Sequence, residues 1–356
     1  VKPVANIRSY GMSETRHRLF LALSDGRSMA RAISPNDLKA RIRSDDELAV
    51  LDLREEPAFA ESHLFHARNL PLGSLEQQAP ILVPRLGVAV VVMDAGTGGE
   101  SLALHGAGAL AGLGYGDVAI LDGGVESWGT TGFELFSGTG VPSKAFGEYV
   151  ELNDHTPSIT ADEVKALIDH GEDMVILDSR PFDEYRHMNI PSGIDTPGAE
   201  LVYRVSDLAP DPDTLVVVNC AGRTRSIIGA QSLINAGIPN RVVALENGTM
   251  GWHLAGFELE QGAERSFPAV SGNGLARAAE CAGRVGDMFG VPEIDAATLD
   301  QWRNDPTRTL YLLDVRDIAE FEAGHLEGSK PAPGGQLVQA TDRTVAVRGA
   351  RLVLVD

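Results

Sequence analysis

Three times along the chain a short aliphatic run ends in Asp-x-Arg, and the residues around it recur in the same order. The runs are Val50-Leu51-Asp52-Leu53-Arg54, Ile176-Leu177-Asp178-Ser179-Arg180 and Leu312-Leu313-Asp314-Val315-Arg316. A helix start precedes each: Ile33-Ser34-Pro35-Asn36-Asp37-Leu38, Ile159-Thr160-Ala161-Asp162-Glu163-Val164 and Ile294-Asp295-Ala296-Ala297-Thr298-Leu299. Ser34, Thr160 and Asp295 can accept from the orphan N–H groups of a first helical turn, and Thr160 with Glu163 reads as a capping box. An aromatic residue follows each Asp by seven positions, at Phe59, Tyr185 and Phe321. A second aliphatic run then arrives, over 88–93, 215–219 and 352–355. Asp52 to Asp94, Asp178 to Cys220 and Asp314 to Asp356 are each 42 residues apart. Repetition at a fixed spacing marks a duplicated structural unit.

Apolar runs of this kind, such as Leu215-Val216-Val217-Val218, predict strands buried on both faces. They alternate with helical stretches such as Ser226 to Ala236, which Gly237 ends. The expected fold class is therefore α/β, with tandem domains that each fold a mostly parallel central sheet flanked by helices. The first two copies close alike, through Leu121-Asp122-Gly123-Gly124 to Trp128 and Leu245-Glu246-Asn247-Gly248 to Trp252, and both then reach Gly-Phe-Glu-Leu. Trp128 and Trp252 read as core residues of that turn. The expected organisation is an extension over 1–27, a first copy over 28–137, a linker over 138–156, a second copy over 157–262, a linker over 263–291 and an incomplete third copy over 292–356. The third copy reaches only Asp356, so its last strand lacks a covering helix. Continuation of the natural polypeptide, or cover from another chain, is expected there, because burying each such aliphatic side chain is worth about 1.5–3 kcal/mol.

Composition narrows the function classes. The chain is 43% hydrophobic and 22% charged, as in ordinary globular protein, and 356 residues exceed what a single core usually serves. A net charge of −20 argues against nucleic acid and anionic membranes as partners. It leaves room for a small anionic substrate in a donor-lined pocket. The early apolar stretch Leu19 to Leu23 is too short for a signal segment or a membrane span. Cys220 and Cys281 are the two cysteines, too few for a disulfide framework or a thiolate zinc site. No metal and no cofactor is implied, and the cytoplasm is the default location.

The chemistry concentrates in Val218-Asn219-Cys220-Ala221-Gly222-Arg223-Thr224-Arg225-Ser226, a strand that leads through a short loop into a helix. Open α/β sheets bind ligands at such strand ends. The amides of Ala221, Gly222 and Thr224, with the helix dipole, can hold an anion there, and Arg223 and Arg225 add positive charge. These surroundings favour thiolate over thiol at Cys220. Cysteine also serves as a small buried hydrophobe, but two arginines within five residues argue against that bland role. Cys281 has no such loop and reads as a spectator thiol. His187 reads as solvated or structural.

The strand-end cysteine with its six-residue loop, the upstream Asp-x-Arg and the downstream turn with its tryptophan resemble the rhodanese family of sulfurtransferases. The resemblance spans about 330 residues as three copies. It implies that Cys220 is the nucleophile and carries sulfur as a persulfide. It implies substrate contacts from the loop 221–225, with Arg225 foremost, Arg223 beside it, and Arg180 facing the pocket. Asp178 and Ser226 are supporting residues, and an Asp178–Arg180 structural ion pair is the alternative for Arg180. Many members place glycine where this chain has Arg223, which bears on the acceptor. The partners implied are a small anionic donor such as thiosulfate and a thiol or cyanide-like acceptor. A sulfur-accepting protein or a second copy of the chain is a further candidate. Asp94 and Asp356 hold the cysteine position in the other copies, which are expected to be catalytically silent. The segment Asp94 to Asp122 spans 28 residues against 26 from Cys220 to Glu246. Two other readings stand beside this one: a partner-binding or redox-sensing module, and a cysteine phosphatase, whose loop places its arginine one residue farther on.

Overall fold

The computed structural model describes residues 31–96 and 101–356. The expected extension over 1–27, and Thr97, Gly98, Gly99 and Glu100 of the first copy's loop, lie outside the described residues. The strands are β1 (Arg31–Ile33), β2 (Leu48–Asp52), β3 (Arg68–Asn69), β4 (Ala89–Met93), β5 (Asp117–Leu121), β6 (Ser158–Ile159), β7 (Met174–Asp178), β8 (Ile194–Asp195), β9 (Leu215–Asn219), β10 (Val242–Leu245), β11 (Leu310–Asp314), β12 (Lys330–Pro331), β13 (Val347–Arg348) and β14 (Arg351–Val355).

The chain divides into two compact units, one of residues up to Gly138 with Pro306–Thr309 and Ala346–Ala350, the other of the remainder. In the first unit the sheet order is β1-β5-β4-β2, with β3 and β13 both on β2. All its pairings are parallel except β13, which adds antiparallel to β2 through Val347↔Ala49. The second unit repeats the order as β6-β10-β9-β7-β8, parallel throughout. Its small third sheet, β12-β11-β14, reproduces the β8-β7-β9 part of that arrangement. The expected α/β class and parallel sheets are observed.

Local chemistry explains these elements. Ser34, Thr160 and Asp295 each accept the N–H three residues on, and Thr160 with Glu163 forms the full capping box. The central aliphatic strands of the first two copies are covered on both faces. Val216, Val218 and Leu177 pack against helices Glu200–Leu208 and Thr224–Ala236, whereas Val217, Ile176 and Val243 pack on the opposite side with Trp252. Trp252 is buried and its Nε1–H donates to Glu258 O at 2.9 Å; Trp128 makes the matching bond to Glu134 O at 3.0 Å.

The segment expected as a linker over 138–156 is mostly the helix Val141–Asp154, which buries Val141, Gly147 and Val150. Its glycine serves packing: a Cβ on Gly147 would lie 2.9 Å from Thr224 Cγ2. The second linker contains the helix Gly272–Phe289, which carries Cys281. On β14, Val353 is buried while Leu352 and Leu354 are exposed.

Candidate active site

Cys220 follows the last residue of β9 and is buried at 2% exposure. Residues 221–223 form a bend, and the helix Thr224–Ala236 begins directly after it. A second turn braces this loop from beneath. Thr249 N–H donates to Cys220 O at 2.8 Å and Met250 N–H to Ala221 O at 3.1 Å. The brace needs glycine at 248: φ is +51°, and a Cβ there would sit 2.3 Å from Cys220 O. Ser226 is fully buried and its hydroxyl donates to Arg223 O at 2.8 Å, tying the loop's end to the helix. Nothing lies within 4 Å of a Cβ on Gly222, so the loop is open on that side.

Arg225 is the arginine the fold places at this thiol. Its side chain is 15% exposed and its Nη1 and Nη2 donate to the two carboxylate oxygens of Glu184 at 3.0 and 2.8 Å. Glu184 belongs to the short helix Phe182–His187 after the Asp-x-Arg turn. Burial works against the Arg225 cation, but the Glu184 hydrogen bonds and the charges of Glu184, Cys220 and Asp178 outweigh it and hold the arginine's pKa up. The Arg225 hydrogen bond, in turn, draws the Glu184 carboxyl below its ordinary range. Two of the five guanidinium N–H donors are used by Glu184, leaving others for a substrate anion.

Of the other two arginines, Arg180 takes the structural alternative that the sequence left open, and Arg223 pairs with carboxylates outside the loop. Arg180 is buried, its Nε and Nη2 donating to Asp178 at 2.8 and 2.7 Å and Nη2 also to Met188 O at 2.7 Å. With its side chain 3% exposed, it offers no surface to a ligand, and it is the structural partner of Asp178. The same fork recurs as Arg54–Asp52 and Arg316–Asp314. Removing one member of a buried pair costs about 3–5 kcal/mol, which gives every copy a structural reason to keep the motif. Arg223 is exposed and paired with Glu148 and Glu151 of the helix Val141–Asp154. Two carboxylates offset its charge, so it reinforces Cys220 less than its place in the loop suggested.

Sequence reasoning missed Glu184, Asn219 and Thr249. Asn219 is fully buried, and its Nδ2 donates to Asp178 Oδ2 at 2.8 Å and to Thr249 Oγ1 at 2.9 Å. Asp178 therefore holds both Arg180 and Asn219, the residue before Cys220. A signal existed: Asn219 and Thr249 stand where the first copy has Met93 and Val125.

Asp94 occupies the corresponding place in the first unit and uses up its surroundings. Its Oδ1 accepts from Gly96 N–H at 2.9 Å, and its Oδ2 from Ser101 Oγ at 2.9 Å and Ala103 N–H at 3.0 Å. The fixed carboxylate thus takes donors that an anionic substrate would need. Asp94→Cys is expected to gain no sulfur on incubation with thiosulfate, because no arginine replaces Arg225; peptide mass mapping of the labelled protein checks this. A persulfide on residue 94 would contradict it.

Asp195, next to this network on β8, is buried, and its Oδ1 has no hydrogen-bond partner. Burial first, and then the charge of Asp178, push its carboxyl up to about 7, with Ser266 pulling the other way. A raised carboxyl binds its proton more tightly in the folded state, so folding loses stability as pH rises from the unfolded value toward 7. Asp195→Asn is expected to remove this slope. Denaturation midpoints between pH 5 and 8 should fall for the wild type relative to the variant, by an amount worth about 2–4 kcal/mol. Parallel pH profiles would refute the assignment.

Among the described residues, no group of three His, Cys, Asp or Glu side chains is placed to hold a metal ion, and no helix is long and apolar enough to cross a membrane.

A thiosulfate sulfurtransferase from Pseudomonas aeruginosa has a crystal structure that matches with a TM-score of 0.89 and 56% sequence identity, over 91% of this chain and 61% of that one. An HTH-type transcriptional regulator of Mycobacterium tuberculosis is 32% identical over 106 residues, 30% of this chain and 46% of that protein. The chain thus spans less than two thirds of either relative. The rhodanese-like domain family matches residues 34–131 and 160–255, one stretch within each of the first two copies, and the chain belongs to that family as a tandem of rhodanese-like domains.

Proposed function

We propose that the chain is a rhodanese-type sulfurtransferase that moves sulfane sulfur from thiosulfate or a related donor to a thiophilic acceptor through a Cys220 persulfide. One observation carries the reading. The strand ends at Asp94 and Cys220 share the brace from the following turn, but the one with a thiol also has Arg225, held by Glu184 where its charge meets Cys220, and the Asn219–Asp178 tie. In the first half-reaction the Cys220 thiolate attacks the outer sulfur of thiosulfate. The new Sγ–S bond forms as the thiosulfate S–S bond breaks, and sulfite leaves with the electron pair. Arg225 and the loop amides steady the anion as it approaches and the persulfide that remains. In the second half-reaction a thiolate or cyanide attacks the persulfide's outer sulfur, and the pair returns to Cys220. The acceptor is a small thiol, cyanide or a sulfur-accepting protein, and the cytoplasm, where a free thiol persists, is the proposed setting.

Splitting the reaction this way predicts ping-pong kinetics. Initial rates with thiosulfate and cyanide, varied together, should give parallel double-reciprocal lines. Intersecting lines would count against a persulfide intermediate, and absence of turnover would favour a binding or sensing module.

A further inference from the structure

Beside the Cys220 loop lies a cavity of about 220 Å³, closed on one side by the third copy. The helix Thr224–Ala236 lines it with Arg225, Ile228 and Ser232, spaced along one face over about 10 Å. The third copy's helix Gly334–Gln339 contributes Val338 and Gln339. Glycines bring the two copies close. A Cβ on Gly335 would lie 3.1 Å from Gly198 N, and one on Gly334 would lie 3.1 Å from Ala199 Cβ. The cavity is joined to the nucleophile twice, through Arg225 and through Ser179, which also lines it and whose hydroxyl donates to Asn219 O at 2.8 Å.

Resting on the sulfurtransferase reading, we infer that this cavity is the acceptor subsite, and that it takes a small aliphatic thiol of amino-acid size bearing a carboxylate. Its volume, below the roughly 300–1,000 Å³ of pockets for drug-sized ligands, suits a thiol of amino-acid size. The N–H donors that Arg225 does not give to Glu184 receive the carboxylate. Ile228 and Val338 contact the aliphatic part. Gln339, whose Oε1 has no hydrogen-bond partner, supplies a polar contact for an amine. The ligand's thiolate attacks the outer sulfur of the Cys220 persulfide, forming a low-molecular-weight persulfide and releasing the Cys220 thiolate. The third copy, without a nucleophile of its own, thereby sets what the second copy's persulfide can reach.

The test compares L-cysteine, cysteamine and cyanide as acceptors at saturating thiosulfate, in the full chain. The wild type is expected to show a KM for cysteamine, which lacks the carboxylate, about tenfold above that for L-cysteine. Val338 is 40% exposed, so Val338→Trp can fill the cavity without disturbing a core. It is expected to raise the L-cysteine KM by about tenfold and the cyanide KM by less than about threefold. Gln339→Leu, a smaller change, should move the L-cysteine KM in the same direction. Equal shifts for L-cysteine and cyanide, or an unmoved L-cysteine KM in both variants, would overturn the inference. So would loss of sulfur uptake from thiosulfate in the variants, since the cavity would then serve the donor. A wild type that takes up no sulfur fails at the earlier step and removes the sulfurtransferase reading itself.

Discussion

Cys220→Ser is expected to abolish sulfur transfer, lowering turnover with thiosulfate and cyanide by at least about a thousandfold, as removal of a covalent nucleophile does in other enzymes. The hydroxyl is a far weaker nucleophile at neutral pH and does not hold sulfane sulfur. The fold should survive, because serine is nearly isosteric and the loop's main bonds are made by the backbone of residues 220 and 221 to Thr249 and Met250. Burying a hydroxyl in place of a thiol costs about 1–3 kcal/mol if it finds no partner, so a modest fall in melting temperature is expected beside the lost activity. Cys281, part-exposed on the helix Gly272–Phe289, provides the comparison. Cys281→Ser should leave turnover within about twofold. Comparable loss in both variants would show that unfolding, and not the missing nucleophile, had been measured.

Arg225→Ala carries the second large effect, a fall of about 10²–10³ in the rate constant for attack on thiosulfate, the size seen when a fixed donor to a reacting anion is removed. The loss has two sources. The guanidinium beside Cys220 disappears, and Glu184 is left with an unpartnered negative charge near the approaching dianion. Glu184→Gln in the Arg225→Ala background should therefore recover part of the rate. Arg223→Ala is expected to cost about tenfold at most, since Glu148 and Glu151 already offset that cation. Stopped-flow single turnovers with each variant decide the order. Equal losses for Arg223 and Arg225 would contradict this order, and losses below about threefold in both would mean that the loop amides and helix dipole dominate.

Much of this was legible in the sequence. The Asp-x-Arg repeat and the equal spacings located β2, β7 and β11, and the cap residues located the helices before them, because strand burial and capping depend on a few neighbouring side chains. The position of Cys220 followed for the same reason. The partners of the arginines did not, because they come from distant segments: Glu184 for Arg225, and Glu148 with Glu151 for Arg223. The stretch 138–156 read as a linker. Gly140 and Pro142 in fact start a helix, and Gly147 lets it approach Thr224. β13 is two residues long and pairs with β2 from far along the chain, which no local pattern announces. Asn219 and Thr249 could have been found by setting the copies side by side and asking where only the cysteine copy turns polar.

The central claim is that sulfur resides covalently on Cys220 between donor and acceptor. Its most direct test is the intact mass of the purified chain after incubation with thiosulfate and removal of small molecules. The account predicts a gain of one sulfur atom, mapped by peptide analysis to Cys220, absent in Cys220→Ser and lost on adding cyanide. An unchanged mass, or sulfur located on Cys281, would contradict it.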